Sequence, residues 1–325
     1  MADAIACDVH THLIPVEEGN LGVEPGIVWN AGASTLVVDG HKVGMADLFD
    51  ATKLVAWMDA NAVAHAFVSV PPPVYREQLG ETESRRWADR INAGLKAVAA
   101  SYPDRLSALI HLPIHCPAAA AAVAADALVE GNVAFSAPTG APGVQLADAA
   151  FDTLWQSLSN SRAFLFMHPG SCADGRLESF YMTNLVGNPH ETGVALASLA
   201  LGGVLDRFPG IQFCFAHGGG SAPMLAARLE RGHFTARPGI DRSLSPPQKL
   251  FGNVLVDCIT HSEPALELAE SVFGSGNVVF GSDWPFPMGI VDPAKQLAGI
   301  DAERRRRICC SGAIRLNYKA RSKES

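Results

Sequence analysis

The chain has 325 residues, 48% hydrophobic and 18% charged, and its 33 acidic and 25 basic side chains give a formal charge of −8. That apolar content excludes a disordered chain. The lack of long basic runs argues against a nucleic-acid partner, because counterion release needs clustered Lys and Arg.

The segment Met1–Asp8 has acids and no basic region, unlike a secretion signal. The longest uncharged apolar run, Thr192–Leu205, is too short for a bilayer core of about 30 Å. The seven cysteines are scattered, without a CxxC pair, so neither a disulfide framework nor a thiolate zinc site is indicated. A cytoplasmic protein with no membrane contact is expected.

Short β-branched runs alternate with helical patterns along the whole chain. Strands are predicted at Ala4–His12, Ala64–Val70, Leu106–Leu112, Val133–Ala137, Ala163–His168, Ile211–His217, Val254–Asp257 and Val278–Gly281. Helices are predicted at Ala51–Asn61, Thr82–Ser101, Pro117–Leu128, Ala149–Leu158, Thr192–Arg207, Ala222–Gly232, Glu263–Phe273 and Ala302–Leu316. Phe208-Pro209-Gly210 and Tyr102-Pro103-Asp104 stop helices just before strands. Eight alternations without a break in composition predict parallel strands closed into a (β/α)8 TIM barrel, with residues 1–325 as one domain. A doubly wound sheet is the rival, but no G-x-G-x-x-G follows the first strand. Three insertions, at about 13–48, 169–191 and 232–253, follow strands and so belong to the C-terminal face, where barrels carry active sites. The first holds a candidate hairpin, Thr35–Val38 and His41–Val43 around Asp39-Gly40.

The first predicted strand ends Asp8-Val9-His10-Thr11-His12, and residues i and i+2 of a strand share a face. Two imidazoles together suit a divalent metal, although His-x-His alone equally fits two surface histidines. The fifth strand ends at His168 and the sixth at His217, which is followed by three glycines that permit a tight turn. The eighth runs into Gly281-Ser282-Asp283-Trp284. Five such groups at strand ends are unlike chance placement. Imidazole and carboxylate ligation favours zinc and accommodates manganese or iron. His10, His12, His168 and Asp283 are therefore the expected ligands of one divalent metal, with His217 as the catalytic acid–base. Whether Asp283 only binds metal or also moves a proton is open, so it counts in both groups.

The segments DVHTHLIP (Asp8–Pro15), MHPG (Met167–Gly170), LVGNPHE (Leu185–Glu191), GGVLDRFP (Gly202–Pro209), FAHGGG (Phe215–Gly220) and GSDWPFP (Gly281–Pro287) resemble the amidohydrolase superfamily. Within it, they resemble the branch of 2-amino-3-carboxymuconate-6-semialdehyde decarboxylase and related non-oxidative decarboxylases. The resemblance implies one metal, usually zinc, on the same four residues, with His217 at the catalytic histidine. No lysine ends the fourth strand, which disfavours the binuclear members. An arginine that holds a substrate carboxylate in the carboxymuconate enzyme has no counterpart between His12 and Arg76, and Met45 takes its place. Gly170 replaces a tryptophan after the fifth-strand His-Pro. Arg237 matches an arginine that relatives supply across a homodimer interface. Met45, Gly170, Arg237 and Trp284 are thus the expected substrate-binding residues, and the other histidines are read as structural.

The expected activity is decarboxylation of a hydroxylated or amino-substituted aromatic, heteroaromatic or muconate-type carboxylate, a small-molecule substrate. The alternatives are a hydrolase or hydratase of a cyclic amide, lactone or activated double bond, and a catalytically silent barrel.

Overall fold

Asp8–His12 forms a strand around the β-branched Val9 and Thr11, and all five of its residues, polar ones included, are buried. The computed structural model describes residues 4–170, 172 and 174–315. Met1–Asp3 and the predicted helix end at Leu316 lie outside the described residues. Contacts divide the chain into two units, one running to His111 and resuming at Val279, the other spanning Leu112–Val278.

In the first unit Asp8–His12 pairs in parallel with Ala66–Ser69, which pairs in parallel with Leu106–Ala108. The register of the first pair shifts between Asp8 and Thr11, so the irregularity falls within Val9–His10. Such irregularities re-aim side chains. The other edge of Asp8–His12 meets the chain's far end: Val9 N–H donates to Phe280 O (3.1 Å), Asp283 N–H to His10 O (2.8 Å) and His12 N–H to Trp284 O (2.9 Å). The first and last predicted strands are therefore neighbours, as a closed barrel order requires.

The predicted hairpin is present at Thr35–Val38 and His41–Val43, its two turn residues Asp39 and Gly40 both at positive φ. A further strand, Ile27–Asn30, extends it to three. Two ionic clamps fix the insertion to the helix Glu81–Ser101 and its approach. Glu24, buried, accepts from Arg86 Nε (3.0 Å) and Arg90 Nε (2.9 Å). Asp39 accepts two bonds from Arg76 (2.6 and 2.8 Å), whose guanidinium also donates to Pro25 O and lies 4.9 Å from the Trp87 ring centre. The helix itself turns Trp87, Ala88, Ile91, Leu95 and Val98 inward, one apolar stripe at helical spacing.

The second unit carries a parallel sheet in the order Ala134–Pro138, Phe164–His168, Gln212–Phe215, Leu255–Asp257. Helices Pro117–Val129, Asp152–Asn160, Asn188–Leu201, Ala222–Phe234 and Glu263–Phe273 alternate with these strands. The expected helix Thr192–Arg207 differs at both ends. It starts at Asn188, where Pro189 fits the first turn, and breaks after Leu201 because Gly203 takes φ +77 before Val204–Arg207. The predicted third strand also divides, into Leu106–Ala108 and Ile110–His111. The sixth ends at Phe215, two residues before His217.

Arg76 is 8% exposed, so removing Asp39 strands a largely buried cation. Asp39→Ala is expected to lower unfolding stability by about 3 kcal/mol, read as a shifted urea midpoint. The hydrogen bond from Arg76, outweighing burial, holds the Asp39 carboxyl below its ordinary range. The clamp's contribution is thus complete above about pH 4 and disappears as pH falls through the lowered value. An unchanged midpoint in the variant would refute the clamp.

Candidate metal centre

The site in the first unit is built from a strand end and the turn that lies beside it. Asp8 is fully buried, and its Oδ1 accepts from the backbone N–H of His10 (3.0 Å) and of Ser282 (3.0 Å). Burial pushes this carboxyl up to about 7 against the lowering effect of those hydrogen bonds. His10 Nε2 and His12 Nε2 lie 3.0 Å apart, with the rings nearly perpendicular. Asp283 Oδ1 is 3.2 Å from the first and 3.1 Å from the second. Ligands bound at about 2.0–2.1 Å in a tetrahedral shell stand roughly 3.3 Å apart, so this spacing fits a shared divalent cation.

The hydrogen bonding around His12 supports that fit. Ser69, ending the neighbouring strand, donates its hydroxyl to Thr11 O (3.2 Å) and lies 3.1 Å from His12 Nδ1. With its own proton committed, Ser69 Oγ accepts Nδ1–H, which leaves the Nε2 lone pair for a ligand. Asp283 sits at φ +59 on a turn with no room to spare. A Cβ on Gly289 would come 2.0 Å from Ser282 O and 2.8 Å from Asp283 Cβ. Trp284, expected as a substrate contact, is buried and pairs with Thr11 in a parallel bridge. Phe286 packs its ring against His12, centroids 5.5 Å apart. Met45 is half-buried at the start of the turn Ala46–Phe49.

In the second unit His168 closes its strand, and its Nδ1 donates to Pro169 O (2.8 Å), the bond that in the neutral ring leaves the Nε2 lone pair for a ligand. The His217 ring meets the His168 ring edge to face at 5.2 Å. His217 is not the last residue of its strand as expected: it occupies a left-handed turn at φ +56. Asp257, wholly buried, holds that turn by accepting from His217 N (2.9 Å), Gly218 N (2.9 Å) and Ile259 N (3.0 Å). The glycines that follow are required sterically, since a Cβ on Gly219 would lie 2.7 Å from the Phe273 ring. Gly170 is half-buried, and Arg237 is exposed with its guanidinium donating to Thr235 O (3.1 Å).

Three residues escaped the sequence reading. Asp257 carried a usable signal, the first polar residue after an apolar run, as at His168. Ser69 carried none, because its partner is fixed by the register His12↔Ser69. His111, read only as structural, closes Ile110–His111 and stacks on Tyr75 at 5.1 Å and 14°. His65 fits its structural reading: it pairs with Ser107 at 2.9 Å, and burial pushes its imidazole down to about 4. None of the seven cysteines is joined in a disulfide.

Strands alternate with helices, and imidazoles and a carboxylate stand at or just beyond strand ends, the arrangement of a barrel-class α/β protein with a candidate metal centre. The amidohydrolase family model (Amidohydro_2) matches residues 7–316, and the chain belongs to that family. It is 27% identical over 310 residues to a 2-amino-3-carboxymuconate-6-semialdehyde decarboxylase of Dictyostelium discoideum, covering 91% of this chain and 86% of that protein. It is 32% identical over 146 residues to a 6-methylsalicylic acid decarboxylase of Penicillium expansum, covering 43% of this chain and 44% of that one. The 5-carboxyvanillate decarboxylase structure from Sphingomonas paucimobilis superposes with a TM-score of 0.80 at 20% identity, over 97% of this chain and 99% of that one. A 5-carboxyvanillate decarboxylase from Novosphingobium aromaticivorans, solved with bound manganese, gives 0.77 at 20% identity over 96% and 95%. The (β/α)8 barrel class expected from the sequence is the fold of this family and of these neighbours.

Ser69→Ala removes the acceptor that sets the His12 tautomer. Zinc affinity measured by chelator competition is expected to fall about tenfold, as for other groups that orient a ligand. Unchanged affinity would mean that His12 is oriented by something else.

Proposed function

We propose that the chain is a metal-dependent non-oxidative decarboxylase, a carboxy-lyase acting on a hydroxylated or amino-substituted aromatic, heteroaromatic or muconate-type carboxylate. The observation that carries this reading is the convergence of His10 Nε2, His12 Nε2 and Asp283 Oδ1 within 3.0–3.2 Å of one another. The decarboxylase names of the relatives supply the reaction class. In this reading His168 is the fourth ligand, its Nε2 freed by the Pro169 bond, and the metal is zinc, with manganese the other candidate. A divalent ion, when bound, supplies Lewis-acid stabilisation for negative charge on the substrate's carboxylate and adjacent oxygen.

The chain's own residues then handle the proton. Protonated His217 delivers a proton to the ring carbon that bears the carboxylate. The carbon–carboxylate bond breaks, its electron pair returns to the ring, and CO2 leaves. Asp257 keeps the His217 turn in place through its three backbone hydrogen bonds, so the acid does not have to reorganise during reaction. Asp283 serves both as ligand and as acid–base partner. Met45, Gly170 and Trp284 shape the substrate space, with Arg237 reaching a neighbouring site in a homodimer. Residues 1–325 act as one catalytic domain in the cytoplasm, with the insertions at 13–48, 169–191 and 232–253 tuning substrate choice. Among the described residues no helix is long and apolar enough to cross a membrane.

The test is a zinc-loaded assay on a panel of hydroxy-aromatic carboxylates and cyclic amides, read by mass spectrometry. Loss of CO2 is the expected outcome, whereas products heavier by one water would replace the reading with a hydratase or hydrolase. His217→Ala should keep its metal and lose about 10²–10⁴-fold in kcat. Full turnover in that variant would remove His217 from the mechanism.

A further inference from the structure

The metal centre does not use every polar group at this end of the first unit. Strands Asp8–His12, Ala66–Ser69 and Leu106–Ala108 run parallel, so His12, Ser69 and the His111 that follows lie toward one edge of the sheet. The loop leaving Ser69 returns over that edge and presents Tyr75. Its ring stacks on His111, and the residue is 4% exposed. Buried tyrosines ordinarily pair their hydroxyl, yet Tyr75 Oη makes no hydrogen bond among the described residues.

The backbone that carries the ring is held on both sides of it. Val74 O accepts from Trp87 Nε1 (2.8 Å), Tyr75 N–H donates to Pro72 O (3.0 Å), and Arg76 is bound to Asp39 and Pro25. Its platform is fixed as well, since Asn92 accepts from His111 N (2.7 Å) and donates to His111 O (3.0 Å). Burial, with the nearby charges of Glu77 and Asp283, holds the phenol in its protonated form. A rigid neutral donor thus stands at the edge occupied by the metal-binding residues, in a stretch with no arginine between His12 and Arg76. Arg76 itself is committed to Asp39.

We propose that Tyr75 is a substrate-binding residue whose hydroxyl donates to an oxygen substituent on the ring of the bound carboxylate, selecting substrates that carry that oxygen. This rests on the decarboxylase reading of the same site.

The test measures binding of two probes, 2,6-dihydroxybenzoate and benzoate, to the zinc-loaded 325-residue chain and to its Tyr75→Phe variant by calorimetry. Phenylalanine keeps the stack on His111 and removes only the donor. The wild type is expected to prefer the dihydroxylated probe. The variant should bind that probe about tenfold more weakly, the worth of one hydrogen bond, and bind benzoate as the wild type does. Bound zinc and melting temperature should not change. Equal weakening of both probes, or of neither, overturns the proposal. So does a wild type without preference, a result that needs no variant. Selectivity lost in the variant with no CO2 released from any panel member supports Tyr75 and removes the decarboxylase reading. CO2 release with selectivity intact in the variant does the reverse.

Discussion

The Asp8 carboxylate is the joint on which the first unit's site depends. One oxygen accepts from His10 N–H and from Ser282 N–H, groups 272 residues apart along the chain, and thereby ties the strand bearing two imidazoles to the turn bearing Asp283. Ligand atoms of a metal site must converge within a few tenths of an ångström. Strand pairing alone leaves the side-chain ends free to diverge. The bond to Ser282 fixes the residue before Asp283, the Asp283 N–H to His10 O bond fixes the next, and Gly289 packs against both. Each additional contact narrows the position of Oδ1 relative to the two Nε2 atoms.

A second constraint acts on the imidazoles themselves. A neutral histidine binds a cation through its unprotonated nitrogen, so the tautomer has to be chosen before any ion arrives. His12 and His168 reach the same tautomer with different acceptors, a serine hydroxyl in one case and a proline carbonyl in the other. The carbonyl comes free with the His-Pro sequence. The hydroxyl has to be brought by a separate strand, and its own proton must go elsewhere, here to Thr11 O.

This difference also explains how much could be read from sequence. His168 is a polar residue ending an apolar run, Asp283 follows another within a few residues, and His10 and His12 alternate along a strand, patterns that survive without any knowledge of neighbours. The hairpin was legible for a local reason too, because Asp39-Gly40 is chemistry suited to two positive φ values. Ser69 and the stack of Tyr75 on His111 depend on register between strands far apart in the chain, as in the pairing Val68↔Ala108. Nothing in either segment announces its partner. The break at Gly202-Gly203 was hidden by the apolar periodicity running through it, although Gly203 was the residue able to take the left-handed turn.

The first insertion shows how the chain divides its polar groups between holding the fold and meeting a ligand. Its buried acid Glu24 is matched by two arginines of one helix, and Asp39 takes both bonds that Arg76 offers a carboxylate. These ionic groups are consumed in fastening the insertion down. Beside these clamps the insertion carries two neutral groups, the thioether of Met45 and the indole of Trp29, whose buried Nε1 has no hydrogen-bond partner among the described residues, and the loop after Ser69 adds the phenol of Tyr75. On the proposed reading, discrimination from this side works by hydrogen-bond donation and apolar contact rather than by charge. Neutral donors discriminate by leaving a polar group unsatisfied when the matching oxygen is missing, a penalty that a mobile cation on the surface does not impose. A rigidly clamped insertion is what makes that penalty effective, because a loop free to shift would find water instead.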